Sequence, residues 1–416
     1  MLMKIWLWGA GKYVVYAKQC IIDVKCIGGI FDSNAQLWGK EKEGISIFKP
    51  EKNIVKKDDI LIITILRYKD VVARAKDLLS INEKQIVSFH SEGILKINWN
   101  GQLLCDKWKD IHRIVELENL NEELTLKLNN AVFELFDKIN ISSIKYPKIR
   151  SGEEALSLVI SEHKSMCRFG DGEFEIILGR NRAFFQPVDK LLGIRLEEVL
   201  HNTQEKIITC IADNYGDLSK YTEEAAKGIR RYLSQSVREE HMKLVGEKEY
   251  YDAYISRPYI MYKDKERAVK IFALWKLLWS KRDVLLVEGI YTRSGCLNDL
   301  FSTANSIKRI LCPSENAWEV YDNILQVVEK WAAKDTLILI ALGPTATVLA
   351  YDLELKGYQA IDMGHLDNEY EWYLRKCSEV EDIRYKYVND YNAGRYATDI
   401  NDKEYENQII EKIGVE

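Results

Sequence analysis

The chain of 416 residues is long enough for two or three domains that each bury a core of their own. Its composition, 47% hydrophobic and 30% charged, is typical of a globular protein, and a net charge of −5 argues against nucleic acid as a partner. No run of about 18 apolar residues occurs, so we predict no transmembrane segment. The eight cysteines include no C-x-x-C pair, which predicts free thiols in the cytoplasm and no structural zinc.

The first hundred residues follow the order of a dinucleotide-binding βαβ unit. A strand at residues 4–8 leads into Gly9-Ala10-Gly11-Lys12 and a helix, and a second strand at residues 24–31 ends at Asp32. In such units the glycine turn binds a pyrophosphate and the acid binds a ribose. With further strands at 58–64 and 85–89, we predict a Rossmann-like domain over residues 1–104. We expect this domain to serve packing or assembly, because Val14 replaces the third glycine of the dinucleotide-binding motif. NAD(P) binding at residues 9–32 is the alternative.

Residues 105–150 are predicted to form a helical linker. Apolar residues recur at steps of three and four, which is typical of an amphipathic helix. They are Leu117, Leu120, Leu124, Leu128, Val132, Leu135 and Ile139. We expect these side chains to pack in a core, and a contact between two copies of the chain in a homo-oligomer is the alternative. Ser151, with Glu154 three residues later, predicts the capped start of the next helix.

Apolar strands alternate with helices over residues 151–380, and residues 381–416 are interpreted as a polar tail. The strands are predicted at residues 165–169, 207–212, 253–256, 284–288, 306–311, 337–341 and 360–363. The helices are predicted at residues 191–203, 222–244, 263–280, 317–330 and 345–356. This alternation predicts an α/β domain with a mainly parallel sheet, in which ligands bind at the carboxyl ends of the strands.

Two carboxylates follow the first strand of this domain. In extended backbone residues i and i+2 point to the same face, so Asp171 and Glu173 are expected to converge on one cation. Hard cations such as Mg²⁺ prefer oxygen ligands and usually share them with substrate phosphates. We therefore predict that Asp171 and Glu173 hold Mn²⁺ or Mg²⁺.

The residues after the other strands are of types that bind a diphosphate and assist its departure as a leaving group. Arg257 and Arg293 are candidate phosphate partners, and Gly343 with Thr345 predicts an anion site at the start of a helix. An inverting transfer needs a base beside the acceptor. The candidates for this base, in order of preference, are Glu288, Asp299 and His365.

Five motifs in the same order resemble the GT-D-type glycosyltransferases over residues 151–376. They are Arg168-Phe169-Gly170-Asp171-Gly172-Glu173, Arg257-Pro258-Tyr259, Glu288-Gly289 with Asn298-Asp299, Ala341 to Ala346, and Gly364-His365-Leu366-Asp367 with Glu369 to Trp372. The resemblance implies that Asp171 and Glu173, a D-x-E motif, contact the metal and the diphosphate of a UDP-sugar. It adds Arg168, Gly170, Asn298 and Asp367 to the residues expected to bind the donor.

Relatives of this family extend glycans on bacterial adhesins with UDP-glucose, and others are found among surface-polysaccharide genes. The resemblance thus implies a metal-dependent transferase that moves a hexose, with glucose as first candidate, from a UDP-sugar to a saccharide or glycoprotein acceptor. The family usually reads G-x-G-N-D where this chain has Gly295 to Asp299, and we expect Leu297 to narrow that loop. The alternatives are an NAD-dependent nucleotide-sugar epimerase or reductase, for which a Tyr-x-x-x-Lys pair is missing, and a non-catalytic assembly or nucleotide-sensing protein.

Overall fold

The computed structural model describes residues 3–21, 24–34, 37–65, 68–88, 98–99, 102–103, 108–138, 146–180, 186–246, 248–389 and 397–415. The chain forms two compact units, Met1–Thr125 and Leu126–Glu416, that divide inside a long helix. None of the helices within the described ranges combines the length and apolar character that a membrane span needs.

The first unit is built on a six-stranded sheet. Its strands are β1 (Ile5–Trp8), β2 (Ile27–Phe31), β3 (Glu41–Lys42), β4 (Ile45–Phe48), β5 (Ile60–Ile63) and β6 (Ile86–Ser88), and its helices are α1 (Val14–Cys20) and α2 (Tyr68–Leu79). The strand order is β3-β4-β2-β1-β5-β6, and all described pairs are parallel except β3 with β4. The predicted strands and the predicted first helix are therefore present, although Phe89 lies outside the described residues. A separate short hairpin pairs β7 (Asn98–Trp99) with β8 (Gln102–Leu103).

The acid that ends β2 contacts the glycine turn after β1. The backbone N–H of Ala10 donates to Oδ2 of Asp32 at 2.7 Å. One donor of the turn and one oxygen of the acid are thereby engaged within the protein, whereas a dinucleotide site would present both to its ligand. Nucleotide binding at residues 9–32 stays a prediction, and this contact weighs against it.

The predicted amphipathic helix is present as α3 (Trp108–Lys138), but the expected packing of its leucines is wrong. Leu117, Leu120, Leu124 and Leu128 have exposed fractions of 48% to 67%, and the core of the first unit instead receives Ile111 and Val115 from this helix. Ile139 lies outside the described residues, and the structure does not describe the side chains of Val132 and Leu135. The homo-oligomer contact through this helix stays a prediction.

The second unit is built on a nine-stranded sheet. Its strands are β9 (Lys148–Arg150), β10 (Ser165–Phe169), β11 (Ile207–Ile211), β12 (Glu249–Asp252), β13 (Asp283–Gly289), β14 (Ser306–Cys312), β15 (Leu337–Ala341), β16 (Ala360–Asp362) and β17 (Ile409–Lys412). Its helices are α4 (Gly152–Ser161), α5 (Asp171–Ile177), α6 (Lys190–Leu200), α7 (Glu223–Tyr232), α8 (Gln235–Val245), α9 (Glu266–Leu278), α10 (Tyr321–Trp331), α11 (Pro344–Leu355), α12 (Leu366–Arg375) and α13 (Lys403–Gln408).

The strand order is β17-β14-β13-β15-β16-β10-β11-β12-β9, and every described pair is parallel. Two apolar clusters flank this sheet, because alternate residues of each strand enter opposite layers; Val287 lies in one cluster and Leu286 in the other. After β10 the chain continues to β11 and β12 on one side, while β16 pairs with β10 on the other. In sheets of this kind such a reversal opens a crevice at the carboxyl ends of the strands.

Two predicted elements differ from the structure because polar side chains cap the backbone. The strand predicted at residues 253–256 is a 3-10 turn that follows β12, since Oδ1 of Asp252 accepts the N–H of Tyr254 at 2.9 Å. The helix predicted at residues 222–244 is two helices, α7 and α8. The hydroxyl of Ser234 accepts the N–H of Val237 and starts the second helix.

The ends of this unit also differ from the prediction. The end of the predicted helical linker contains β9, which pairs with β12. The cap by Ser151 is confirmed, because its hydroxyl accepts the N–H of Glu154 at 3.2 Å. The polar tail predicted at residues 381–416 contributes β17 to one sheet edge and the buried Lys386 to the interior. The sequence did not reveal the strand or the buried lysine, because the segment is rich in charged residues and neither feature produces a clear apolar pattern.

Candidate active site

A cleft of ≈ 550 Å³ lies where the strands of the second unit end. Residues that follow β10, β11, β12, β13, β14, β15 and β16 line it, as expected for the carboxyl edge of a parallel sheet. Eight of the thirteen predicted site residues border this cleft. They are Arg168, Gly170, Asp171, Glu173, Arg257, Gly343, His365 and Asp367.

The two predicted metal ligands stand on the first turn of a helix and not in extended backbone. Helix α5 begins at Asp171, so the expected shared face of residues i and i+2 is wrong. Oε2 of Glu173 turns back and accepts the N–H of Gly170 at 2.7 Å, which closes the helix start. Burial raises the pKa of Glu173 to about 7, although the Gly170 hydrogen bond acts in the opposite direction. Both carboxyl groups still border the cleft.

Arg168 is held rigidly at the floor of the cleft. Its Nη2 lies 2.8 Å from Oδ1 of Asp362, and its Nη1 donates to the hydroxyl of Ser256 at 2.7 Å. The guanidinium passes so close to Gly364 that a Cβ there would lie 1.8 Å from Nη2. Glycine at position 364 also has a φ of +49°, which other residues rarely adopt. Arg168 therefore presents a fixed positive charge, shared with Asp362, to whatever the cleft binds.

The turn after β15 delivers a helix start to the cleft. Gly343 has a φ of +56° and precedes Pro344, the first residue of α11. The predicted helix start after the strand is therefore present, and anion binding there stays a prediction. Thr345 does not contribute its side chain to the cleft, because it is fully buried and its hydroxyl lies 3.4 Å from Oε1 of Gln186.

The two preferred candidates for the catalytic base are engaged elsewhere. Glu288 is fully buried, with Oε1 2.5 Å from Nη1 of Arg309 and Oε2 accepting the N–H of Ser294. Asp299 accepts from Lys276 at 2.8 Å and from the hydroxyl of Tyr370, and these hydrogen bonds lower its pKa. Neither residue borders the cleft. Glu288 is a structural ion-pair member, and Asp299 belongs to a salt bridge at the surface.

Arg293 and Asn298 likewise support the site without lining it. The guanidinium of Arg293 donates to the carbonyl groups of Tyr385 and Thr398 at 2.7 and 2.6 Å. The amide of Asn298 donates to Asp367 and to Glu371. Both residues were expected to contact the donor, and both instead hold loops together.

The loop that departs from the family pattern has a left-handed backbone at the replaced glycine. Leu297 has a φ of +59° and is 62% exposed. Glycine adopts this conformation without the steric cost that a Cβ brings, which explains the usual residue. The expected narrowing of the loop is wrong, because most of the leucine side chain lies in solvent.

Sequence reasoning missed a buried charge cluster behind the cleft. Lys386 is fully buried, and its Nζ lies 2.6 Å from Oδ2 of Asp367 and 3.0 Å from Oε1 of Glu371. Burial alone would lower the pKa of Lys386, but the two carboxylates outweigh that effect and raise it. Since Oδ1 of Asp367 also accepts the N–H of Gly295 at 2.7 Å, this carboxylate is fixed on both sides where it meets the cleft.

A second buried cluster lies behind helix α5. The ring of His241 stacks on Phe174 with centroids 4.2 Å apart, and its two nitrogens lie 2.8 Å from the hydroxyl of Tyr215 and 3.0 Å from that of Tyr232. Burial lowers the pKa of His241 to about 4, with help from the charges of Arg180 and Arg238. The imidazole is therefore neutral in the folded protein at neutral pH.

This histidine is expected to weaken the fold in acid. Because its folded pKa lies below its unfolded value, its contribution is present above about pH 6.5 and is lost as the pH falls toward 4. We expect a loss of about 2 kcal/mol of unfolding free energy from this group between pH 7.5 and pH 5. Urea unfolding at both pH values should show a smaller loss for His241→Phe than for the wild type. Equal losses in the two proteins would contradict this assignment.

Comparison with known proteins relates the part of the chain that contains the cleft to glycosyltransferases. The family described as Glycosyltransferase GT-D fold matches residues 166–391. The chain is 36% identical over 269 residues to "Probable glycosyl transferase Gly" of Streptococcus gordonii and 34% identical over 266 residues to "Glycosyltransferase GlyD" of Streptococcus pneumoniae. The matches cover 64% of this chain in both cases, but only 39% and 32% of the two relatives.

Solved structures show the same fold. One described as a new glycosyltransferase from Streptococcus sanguinis aligns with a TM-score of 0.62 at 36% identity, covering 65% of this chain and 100% of that one. Another, described as having a distinct glycosyltransferase fold, aligns with a TM-score of 0.61 at 38% identity over 64% of this chain and 96% of that one. The larger unit is thus similar to these proteins over nearly their whole length.

Proposed function

Because the chain belongs to the GT-D glycosyltransferase family, we propose that it moves a hexose, with glucose as first candidate, from a UDP-sugar to a saccharide or glycoprotein acceptor. The observation that carries this proposal is the cleft itself, which gathers three carboxyl groups, two arginines and a helix start at one sheet edge. Such a set suits a diphosphate leaving group. Synthesis of a bacterial glycoprotein or surface polysaccharide is the setting that this activity would serve.

The residues fit a cation that is shared with the substrate. Asp171 and Glu173 supply carboxylate oxygen, the donor that Mg²⁺ and Mn²⁺ prefer, and one or two carboxylates suffice where phosphates complete the coordination. Within the described residues no cluster of three or more His, Cys, Asp or Glu side chains could hold a metal without such help. When bound there, the cation would neutralise charge on the departing diphosphate.

The chain's own residues supply the remaining steps. Arg168 and Arg257 offer positive charge along the cleft, and the N–H groups that follow Gly343 offer hydrogen-bond donors to phosphate oxygens. Two of these groups are positioned before the substrate binds. Asp362 holds the guanidinium of Arg168, and the turn at Gly343 fixes the start of α11. Of the three candidate bases, His365 is the one that borders the cleft, and it takes the acceptor's proton in this proposal.

The two alternatives find less support. An NAD-dependent epimerase or reductase would need the glycine turn after β1, where the Ala10 N–H is engaged by Asp32. A non-catalytic assembly protein would have no need of an arginine held against Asp362 at the floor of an open cleft.

The test is UDP release from a panel of UDP-sugars by the full chain, with Mn²⁺ and then with EDTA. We expect release from a UDP-hexose that requires the cation, stops in EDTA and returns when Mn²⁺ is restored. Release that continues in EDTA would contradict the cation site. No release from any UDP-sugar, with or without saccharide acceptors, would contradict the donor class.

A further inference from the structure

Helix α3 carries a stripe of exposed apolar side chains on the side opposite its buried face. Ile111 and Val115 form the buried face and enter the core of the first unit. Leu120 and Leu124 each follow one of them by nine residues, which is about two and a half turns and therefore the opposite side of the helix. The apolar side chains on this side are 43% to 67% exposed; they are Ile114, Leu117, Leu120, Leu124 and Leu128.

The middle of this helix is not supported by packing within the chain. None of the residues from 116 to 128 is buried, although the segment makes about three and a half turns. Most of the stability of a helix in a protein comes from the packing of its apolar face, and an isolated helix of this length is marginal in water. A second apolar surface that covers the stripe would stabilise this segment.

The spacing of the stripe specifies another helix as that surface. Six exposed positions follow one another at steps of three, four, three, four and three residues; they are Ile114, Leu117, Asn121, Leu124, Leu128 and Ala131. These steps define the a and d positions of a coiled coil, with Ile114 at a and with Leu117 and Leu124 at d. A β-branched residue at a together with leucine at d favours two parallel strands.

The polar member of this set indicates that the second helix is the same helix of another copy. Asn121 occupies an a position, where an amide is costly unless it is hydrogen-bonded. In a parallel pair in register it faces the same asparagine, and one such residue at an a position specifies the register and the two-stranded state. A different partner helix would need a polar residue of its own at this layer.

The charges that flank the stripe also complement each other in a parallel pair. Arg113 lies at g and Glu118 at e, and a g residue faces the e residue of the next heptad on the other helix. Both can take part, because the Arg113 side chain is 71% exposed and the Glu118 side chain is 39% exposed, although Glu118 also accepts from the Tyr16 hydroxyl. In an antiparallel pair g would face g, and none of Arg113, Leu120 and Lys127 is an acid.

We infer that α3 pairs with α3 of a second copy of this chain as a parallel coiled coil over residues 114–131, with Asn121 opposite itself. The inference goes beyond the proposed function and does not depend on it, because none of the described residues of α3 borders the cleft. A dimer of this kind carries two clefts in one particle.

The mass of the full chain in solution tests this pairing. Sedimentation equilibrium at micromolar concentrations should give the wild type twice the mass of one chain. Leu124→Glu should weaken the dimer at least about a hundredfold and give a single chain, because each copy would place a charge in the apolar layer. Its near-ultraviolet circular dichroism should not change, since Leu124 is 55% exposed. Leu277→Glu, the same change at a 57% exposed leucine of α9, should remain a dimer.

Cross-linking tests the orientation. Leu117→Cys and Leu124→Cys each place a thiol at a d position, where a parallel pair in register brings it within disulfide reach of its own copy. An antiparallel pair can bring at most one of these two residues opposite itself. Mild oxidation with diamide should therefore link both variants into dimers that a reductant separates. The wild type and Leu277→Cys should give no such product.

Each result has a distinct meaning. A wild type with the mass of one chain would overturn the second copy as the partner and leave the stripe to a different protein. A dimer that persists in Leu124→Glu would overturn the contact through α3. A dimer in which only one cysteine variant, or neither, becomes linked would overturn the parallel register. A failure to release UDP would contradict the proposed function and leave all three measurements unchanged.

Discussion

Asp171→Asn is expected to reduce sugar transfer at least about a hundredfold, because it removes a charged oxygen ligand that the diphosphate's cation needs. The fold should lose less than about 1 kcal/mol, the value of an acidic side chain on the first turn of a helix. Initial rates of UDP release at several Mn²⁺ concentrations, together with urea unfolding, measure both effects. A rate that recovers at high Mn²⁺ would place the defect in cation affinity.

The chain offers a matched control for this substitution. Asp322 is also an exposed acid in the first turn of a helix, α10, and it lies outside the cleft. Asp322→Asn should therefore leave the rate unchanged. Glu173→Gln retains an acceptor for the Gly170 N–H and should keep the helix start while lowering the rate. Wild-type rates in both Asp171→Asn and Glu173→Gln would remove these residues from the reaction.

Lys386→Met is expected to destabilise the larger unit by about 3 to 5 kcal/mol, since it removes the lysine that neutralises buried Asp367 and Glu371 and leaves Glu371 only the partly exposed Arg375 at 3.4 Å. Nζ of Lys386 contacts both Asp367 and Glu371, and neither is more than 5% exposed at its side chain. Urea unfolding at neutral pH measures this loss. The unfolding transition of the first unit should be recorded separately wherever two transitions occur.

Two further variants show whether charge is the cause. In Lys386→Met combined with Glu371→Gln, one of the two buried carboxylates that lost the lysine is replaced by a neutral amide, and part of the lost free energy should return. Lys403→Met changes an exposed lysine in the same C-terminal region and should alter the free energy of unfolding by less than about 0.5 kcal/mol. A Lys386→Met protein as stable as Lys403→Met would contradict the buried cluster.

The strands and the position of the cleft were predictable from local pattern. Continuous apolar runs such as Leu337–Ala341 are buried on both faces of a parallel sheet and therefore stand out in the sequence. Because parallel strands end at one edge, residues that follow them come together without further information. This is why Asp171, Arg257, Gly343 and His365 share a cleft, as predicted.

What each polar side chain does at that edge was not predictable, because it depends on partners far away in the chain. Glu288 has the sequence position expected of a catalytic base, but the pairing of β13 with β14 places Arg309 beside it. Asp367 receives Lys386 from a segment whose composition is that of a surface tail. In each case strand pairing or a distant loop decides whether a charge is used for structure or left for a ligand.

The D-x-E motif shows the same limit at short range. The residue types are those that a cation prefers, and cation binding stays a prediction, but the backbone after Phe169 is helical, since Gly170 and Glu173 form the capping interaction of α5. The motif therefore presents its carboxylates from a helix start, where Oε2 of Glu173 and Oδ1 of Asp171 accept the N–H groups of Gly170 and Gly172.

The most direct measurement is the mass of a saccharide acceptor after incubation with the full chain, a UDP-hexose and Mn²⁺. The account predicts a product heavier by one hexose residue, which is absent in EDTA and reduced in Asp171→Asn to a small fraction of the wild-type amount. An acceptor that gains the hexose equally in EDTA and with Asp171→Asn, or that never gains it from any UDP-hexose, would contradict it.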